Sequence, residues 1–166
     1  MPQGHIYHIK NEFFELVNDK KLMANKENDH YRPHFFAVQD RKNSEIFWMI
    51  PMSSRVEKYR TIVESKMKRY GKCNTIVLGT FAGRENAFLI QNAFPTIEQF
   101  IDHEHTVDGN IIRLHKALEK KIVSNLYEVL TMHNEGIHLI YPDIDAIYKC
   151  MTQELEQKHT INIHEE

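Results

Sequence analysis

The chain predicts a single α+β domain, a small antiparallel sheet or partly open barrel packed against two long helices. Three observations carry this. Short apolar runs rich in aromatic and β-branched residues, separated by polar turns, occupy the first half. Apolar residues then recur at spacings of three and four from Ile111 to Val129, and again from Ile144 to Leu155. Finally, 166 residues at 42% hydrophobic and 27% charged suit one soluble domain with its own core. Strands first and helices after is an α+β pattern. Residues 1–158 are read as the folded domain and 159–166 as a polar C-terminal tail.

Gly4–Lys10 alternates, Ile6 and His8 against Tyr7 and Ile9, and predicts a short first strand. Asn11 is placed to cap a short helix whose apolar positions are Phe13, Phe14, Leu16 and Val17; the polar stretch 18–29 reads as a surface connection. A central hairpin follows. Its runs are Phe35–Val38 and Ile46–Ile50, joined by the turn Asp40–Ser44. Both faces of each run are largely apolar, so the pair should be covered on both sides. Pro51 has no N–H to donate, and pairing should stop or bulge there. Pairing through the turn puts residue 34 opposite about 50–52, and residues 31 and 32 beside 53 and 54.

Ser53 or Ser54 is placed to cap a helix over about 55–70, with Glu57 completing a capping box from Ser54. Val56, Tyr59, Val63, Met67 and Tyr70 form its expected core stripe, and Gly71 its C-cap. A strand Asn74–Phe81, a turn Ala82–Asn86 and a strand Ala87–Ile90 come next. Gln91–Pro95 is expected to leave the sheet, and Thr96–Phe100 to form a short helix capped by Thr96. Asp108-Gly109-Asn110 is expected to open the longest helix, ending near Gly136. Pro142-Asp143 starts a last helix to about Lys158.

Several function classes are disfavoured. No apolar run approaches the length of a membrane span. The N-terminus lacks a secretory pattern, and Cys73 and Cys150 have no metal spacing, so reduced thiols in a cytoplasmic protein are expected. His5/His8 and His103/His105 are close pairs, but no HExxH or fixed third ligand accompanies them; Asp102–His105 reads as a loop, and no metal or cofactor is expected. There is no phosphate-cradling glycine loop and no G-x-S-x-G. Net charge is −2, yet between 55 and 72 the cations Arg55, Lys58, Arg60, Lys66, Lys68, Arg69 and Lys72 face only Glu57 and Glu64. Such a patch suits a polyanion. A solvated helix face is the plainer reading.

What remains is a polar set at one end of the hairpin: Tyr31, Arg32 and His34 entering, Ser53, Ser54, Arg55 and Lys58 leaving. RNA cleavage needs few parts, because the 2′-hydroxyl of the substrate is the nucleophile. An acid, a base and cations at the phosphate suffice. His34 can serve as acid or base. Arg55 and Lys58 can hold the phosphate, Ser53 and Ser54 can bond phosphate or ribose oxygens, and Tyr31 can hydrogen-bond to or stack on a base. Each has a structural alternative: Ser54 as a helix cap, His34 as a satisfied core or rim histidine, Tyr31 as rim packing.

At these residues the chain resembles a known family. Tyr31-Arg32-Pro33-His34-Phe35-Phe36, then Ile50-Pro51-Met52-Ser53-Ser54-Arg55 and a basic helix with Lys58-Tyr59, are similar to the ToxN/AbiQ endoribonuclease toxins of type III toxin–antitoxin systems, the CptN-type branch in particular. The resemblance runs from about Ile6 to about Leu155 and includes Phe88–Pro95. It implies a compact PemK/MazF-like twisted antiparallel sheet, partly barrel-like, with added helices. It implies metal-independent cleavage of single-stranded RNA, cellular mRNA included, leaving a 2′,3′-cyclic phosphate. It also implies inhibition by a cognate antitoxin RNA of pseudoknot repeats, which the toxin processes and binds in a toxin–RNA hetero-oligomer. Carried over by position, Ser54 is the catalytic hydroxyl with Ser53 beside it, and Tyr31 an active-site tyrosine. His34 stands where the family has a catalytic lysine, and the lysine after the serine pair is displaced, leaving Arg55 or Lys58 for the cationic role. Arg32, Lys66, Arg69, Lys72, Gln91 and Asn92 are the expected RNA contacts. The alternative is a non-catalytic RNA-binding protein of the same fold.

Overall fold

The computed structural model describes the backbone at residues 1, 4–27, 30, 31 and 34–164, and side chains outside 26–38 and 164. In chain order the elements are β1 (Ile6–Ile9), α1 (Asn11–Val17), β2 (Lys26–Glu27), β3 (His30–Tyr31), β4 (His34–Gln39), β5 (Ile46–Ser53) and α2 (Val56–Tyr70). They continue with β6 (Ile76–Phe81), β7 (Arg84–Leu89), a 3-10 turn (Ile90–Asn92), β8 (Phe94–Ile97) and a second 3-10 turn (Glu98–Phe100). β9 (Ile101–Glu104), β10 (Thr106–Val107), β11 (Asn110–Ile111), α3 (Lys116–Asn134) and α4 (Ile144–His164) complete the chain.

β5 is the axis of the fold. All eight of its residues are buried. The main sheet runs β6-β7-β5-β4-β1-β9, with β8 also on β5, and every pairing in it is antiparallel. β2–β3 and β10–β11 form two separate ribbons. Along one edge β5 pairs with β4, His34 opposite Pro51 and Phe35 opposite Ile50, within the register the sequence predicts. Along the other edge it changes partner: Ile46–Met49 pair with β8, and Met52 and Ser53 with β7. Pro51 sits in the gap between those two partners, where a residue without an N–H costs no ladder bond. The strand therefore does not stop at Pro51 but continues to Ser53.

Alternation along β5 divides the core. Trp48, Ile50 and Met52 pack with Ile122, Leu126 and Val129 of α3. Phe47 and Met49 pack with Phe13 of α1 and with Ile147, Met151 and Leu155 of α4. Gly79 lets α3 come close, since a Cβ there would stand 2.5 Å from a Leu118 methyl. β6 and β9 lie at opposite ends of the sheet order, yet the Phe81 and His105 rings are 6.2 Å apart. The sheet thus curls towards a barrel without closing.

Several expectations are corrected. α2 buries Tyr59 and packs Ile62 and Val63 on Ile76, Ala87 and Leu89. Met67 and Tyr70 are 48% and 64% exposed. A helix of 15 residues is about 22 Å long, and two strands offer roughly 10 Å of width, so its last turns overhang the sheet. Phe94–Ile97 does not leave the sheet; it is β8, with Pro95 tolerated because β8 lies off the main path. Thr96 is buried in that strand rather than capping a helix. Asp108-Gly109 closes the β10–β11 ribbon, with φ of 51° and 77°. Asp-Gly favours a two-residue hairpin turn, which prevails over the helical spacing around it. α3 begins only at Lys116, where His115 Nδ1 accepts from the Ala117 N–H. α4 runs on through His164, so 159–164 is helical, and α4, not α3, is the longest helix.

Candidate functional site

Strand pairing brings the candidate residues to one end of the sheet. The row across β9, β1, β4 and β5 is Glu104, Tyr7, His34 and Pro51. Ser53 lies two residues further along β5, about 7 Å beyond Pro51. His34 and the serine pair therefore meet at the hairpin end, as the register predicts. Tyr31 does not extend β4 there. It belongs to the β2–β3 ribbon, opposite Lys26. The side chains of Tyr31 and His34, and all of Arg32, lie outside the described residues.

The two serines have different surroundings. Ser53 is 7% exposed and its Oγ accepts from the Arg55 N–H at 3.2 Å. Ser54 is exposed, and among the described residues its hydroxyl takes no partner. The N-cap of α2 is Arg55, with no side-chain cap bond, so the capping box expected of Ser54 and Glu57 does not form. Glu57 turns forward to Arg60 instead. Ser53 supplies the local hydroxyl-to-backbone bond, which leaves Ser54 to face outward. Arg55 and Lys58 are exposed beside it on the first turn of α2.

The basic patch divides in two. Arg60 donates to Glu57 and to Glu85, the latter at 2.6 Å. Lys66 is half-buried and donates to Thr75 Oγ1 at 2.8 Å, and Lys72 pairs with Glu128 of α3. These three tie α2 and its end to the body. Lys58, Lys68 and Arg69 are exposed. Gln91 and Asn92, expected as RNA contacts, are folded inward, 5% and 8% exposed in the turn between β7 and β8. Gln91 holds the fold through its backbone, its N–H donating to Thr75 O and its carbonyl accepting from Tyr141. A polar pair after an apolar strand gives no sequence signal of being folded inward.

Two features near this end escaped the sequence reading. Tyr7 is the register neighbour of His34 and is buried; burial first, then Glu104 and Glu98, push its hydroxyl up to about 12. No local pattern foretells it, because β1 and β4 pair across more than twenty intervening residues. Asp102–Glu104, read as a loop, is part of β9 and builds an imidazole cluster with β1. His8 Nε2 and His105 Nδ1 share a hydrogen bond at 2.8 Å, His103 stacks on His8, and His5 pairs with Glu104. Among the described residues no three such groups are arranged to hold a metal ion.

The architecture defines a class before any activity: an open, curled antiparallel sheet with a serine pair where its central strand enters a basic helix. Solved structures share this fold. One is AbiQ, a lactococcal anti-phage endoribonuclease belonging to the type III toxin–antitoxin system, at a TM-score of 0.64 and 14% identity over 93% of this chain and 99% of that one. A second comes from a bacterial antiviral system regulated by a processed non-coding RNA, at 0.65 and 13% over 87% and 95%. A third is a type III toxin selectively inhibited by a non-coding RNA pseudoknot, at 0.64 and 14% over 93% and 99%. No protein-family model matches the chain, and neither does any curated protein. At such identities the likeness establishes the fold. No helix among the described residues is long and apolar enough to cross a membrane.

Proposed function

We propose that this protein is a metal-independent endoribonuclease toxin of a type III toxin–antitoxin system. The observation that carries the reading is the exposed Ser54 hydroxyl at the head of α2, beside Arg55 and Lys58 and three residues along the chain from Pro51, the register partner of His34. The shared fold supports it.

In this reading the 2′-hydroxyl of single-stranded RNA attacks the adjacent phosphorus in line. The O2′–P bond forms, the P–O5′ bond breaks, and a 2′,3′-cyclic phosphate and a 5′-hydroxyl remain. One group takes the 2′ proton and another protonates O5′; His34 fills one of these roles. Ser54 donates to a phosphate oxygen, with Ser53 holding the turn. Arg55, Lys58 and the N-terminus of α2 stabilise the charge that builds on the phosphorane. Tyr31 contacts a base. Cellular mRNA is the substrate, in the cytoplasm. A cognate pseudoknot RNA is the antitoxin, processed by the toxin and then held on the same surface in a toxin–RNA hetero-oligomer. End-group analysis of RNA incubated with the protein in EDTA tests this: cyclic-phosphate 3′ ends are expected. Tight binding with intact RNA would instead select a non-catalytic RNA-binding module.

A further inference from the structure

The cations of α2 are not distributed evenly. Residues 55, 58, 62, 65 and 69 follow one another at spacings of three and four, and so share one flank of the helix. They are Arg55, Lys58, Ile62, Ser65 and Arg69, a row without a carboxylate that begins next to Ser54. Glu57, Thr61, Glu64 and Lys68 make a different row at the same spacings, and both acids of the helix fall there. Of the cations in this region, Arg60, Lys66 and Lys72 are already engaged with Glu57 and Glu85, Thr75, and Glu128.

Lys58 and Arg69 are exposed and have no ion pair among the described residues. Each cation lies over the ring that follows it, Lys58 above Tyr59 at 5.4 Å and Arg69 above Tyr70 at 5.2 Å. That contact steadies the side chain and leaves its N–H donors to a ligand. Ile62 between them packs into the Tyr59 cluster and forms the floor. From Lys58 to Arg69 the helix rises about 16 Å.

We propose that this flank of α2 is a track for the backbone of single-stranded RNA beyond the scissile phosphate, with Arg69 its far contact. The inference rests on the endoribonuclease reading, because the row starts at Ser54, and it adds a length requirement that the cleavage site alone does not impose. Charge complementarity selects the occupant: an acid-free row of spaced cations fits evenly spaced phosphates. Arg69 is a positioning residue and takes no part in the chemistry.

The test compares short and long substrates. Wild-type protein should cleave a mixed RNA of about 20 nucleotides with a lower KM than a mixed set of trinucleotides, because only the long chain reaches the far end of the track. Arg69→Gln should raise KM for the long RNA about three- to tenfold at unchanged kcat and leave trinucleotide cleavage as it was. The slope of log affinity against log salt for the long RNA should fall by about 0.7, one phosphate contact on a single strand. An unchanged KM and salt slope would overturn the track while cleavage stands. Equal losses on both substrates would also overturn it, placing the effect at the site or in the fold. If the wild type cleaves neither RNA, the endoribonuclease reading fails; the salt slope of Arg69→Gln then decides the track by itself.

Discussion

His8 and His103 stand opposite each other on β1 and β9, their rings 4.3 Å apart and 13° from parallel. His105 closes the group through the 2.8 Å contact to His8. His8 is buried, and among the described residues its Nδ1 has no hydrogen-bond partner. Burial first, then His103 and His105, pull its pKa from 6.5 down to about 4, with Asp102 opposing; burial and then His103 lower His105.

This cluster makes the fold acid-sensitive. Unfolded His8 takes its proton near pH 6.5 and folded His8 only near 4. The unfolded state therefore binds more protons between these values. Stability should be intact above about 6.5 and fall as pH drops towards 4, by up to about 3 kcal/mol. Denaturant titrations at pH 7.5 and pH 5 check this, and His8→Gln should flatten the difference. An equal loss in that variant would place the acid sensitivity elsewhere.

Gly79 should resist enlargement. Its backbone is not left-handed, so the constraint is space: a Cβ would stand 2.5 Å and 2.7 Å from the Leu118 methyls of α3. Gly79→Ala should cost about 1–3 kcal/mol in chemical denaturation. Adding Leu118→Ala should recover part of that loss, since the two changes share one space.

Asp40 is the anchor of the hairpin turn. Its carboxylate accepts from Trp48 Nε1 at 3.2 Å, from the Tyr148 hydroxyl at 2.6 Å and from the Lys42 and Asn43 N–H groups. Burial works against its charge, but these bonds prevail and hold the carboxyl below its ordinary value. Asp40→Ala leaves the buried Trp48 Nε1, the half-buried Tyr148 hydroxyl and two turn N–H groups without their acceptor. It should lower stability by roughly 2–4 kcal/mol, read as a shift in the denaturation midpoint. In wild type the Asp40 contribution should be present near neutral pH and lost as acid titrates the carboxylate.

The sequence makes the hairpin legible because its register depends on one short turn, and the His34–Pro51 pairing follows from it. The stripe Ile144, Ile147, Met151 and Leu155 is likewise local and is buried. β8 and β9 are not legible. Pro95 and the charged run Asp102–His105 argue against strands by propensity, and only pairing with β5 and β1 makes them so. The site divides in the same way. The convergence of the serine pair and His34 follows from register, whereas the burial of Gln91 and Asn92 and the closeness of Tyr7 to His34 depend on strands distant in sequence. The exchange of capping roles is subtler. Ser53 and Ser54 are equivalent in the sequence, and the last pairing of β5, Ser53 with Ala87, decides which of them is turned inward.

That exchange sets the most direct measurement: RNA cleavage in EDTA by wild type, Ser53→Ala and Ser54→Ala, with the thermal midpoint of each. Ser54 is exposed, so Ser54→Ala should keep the wild-type midpoint while cleavage falls about 100-fold or more, as for loss of a donor to a developing oxyanion. Ser53→Ala should lower the midpoint, because it removes the bond to the Arg55 N–H. Full cleavage by a normally folded Ser54→Ala protein would contradict the account.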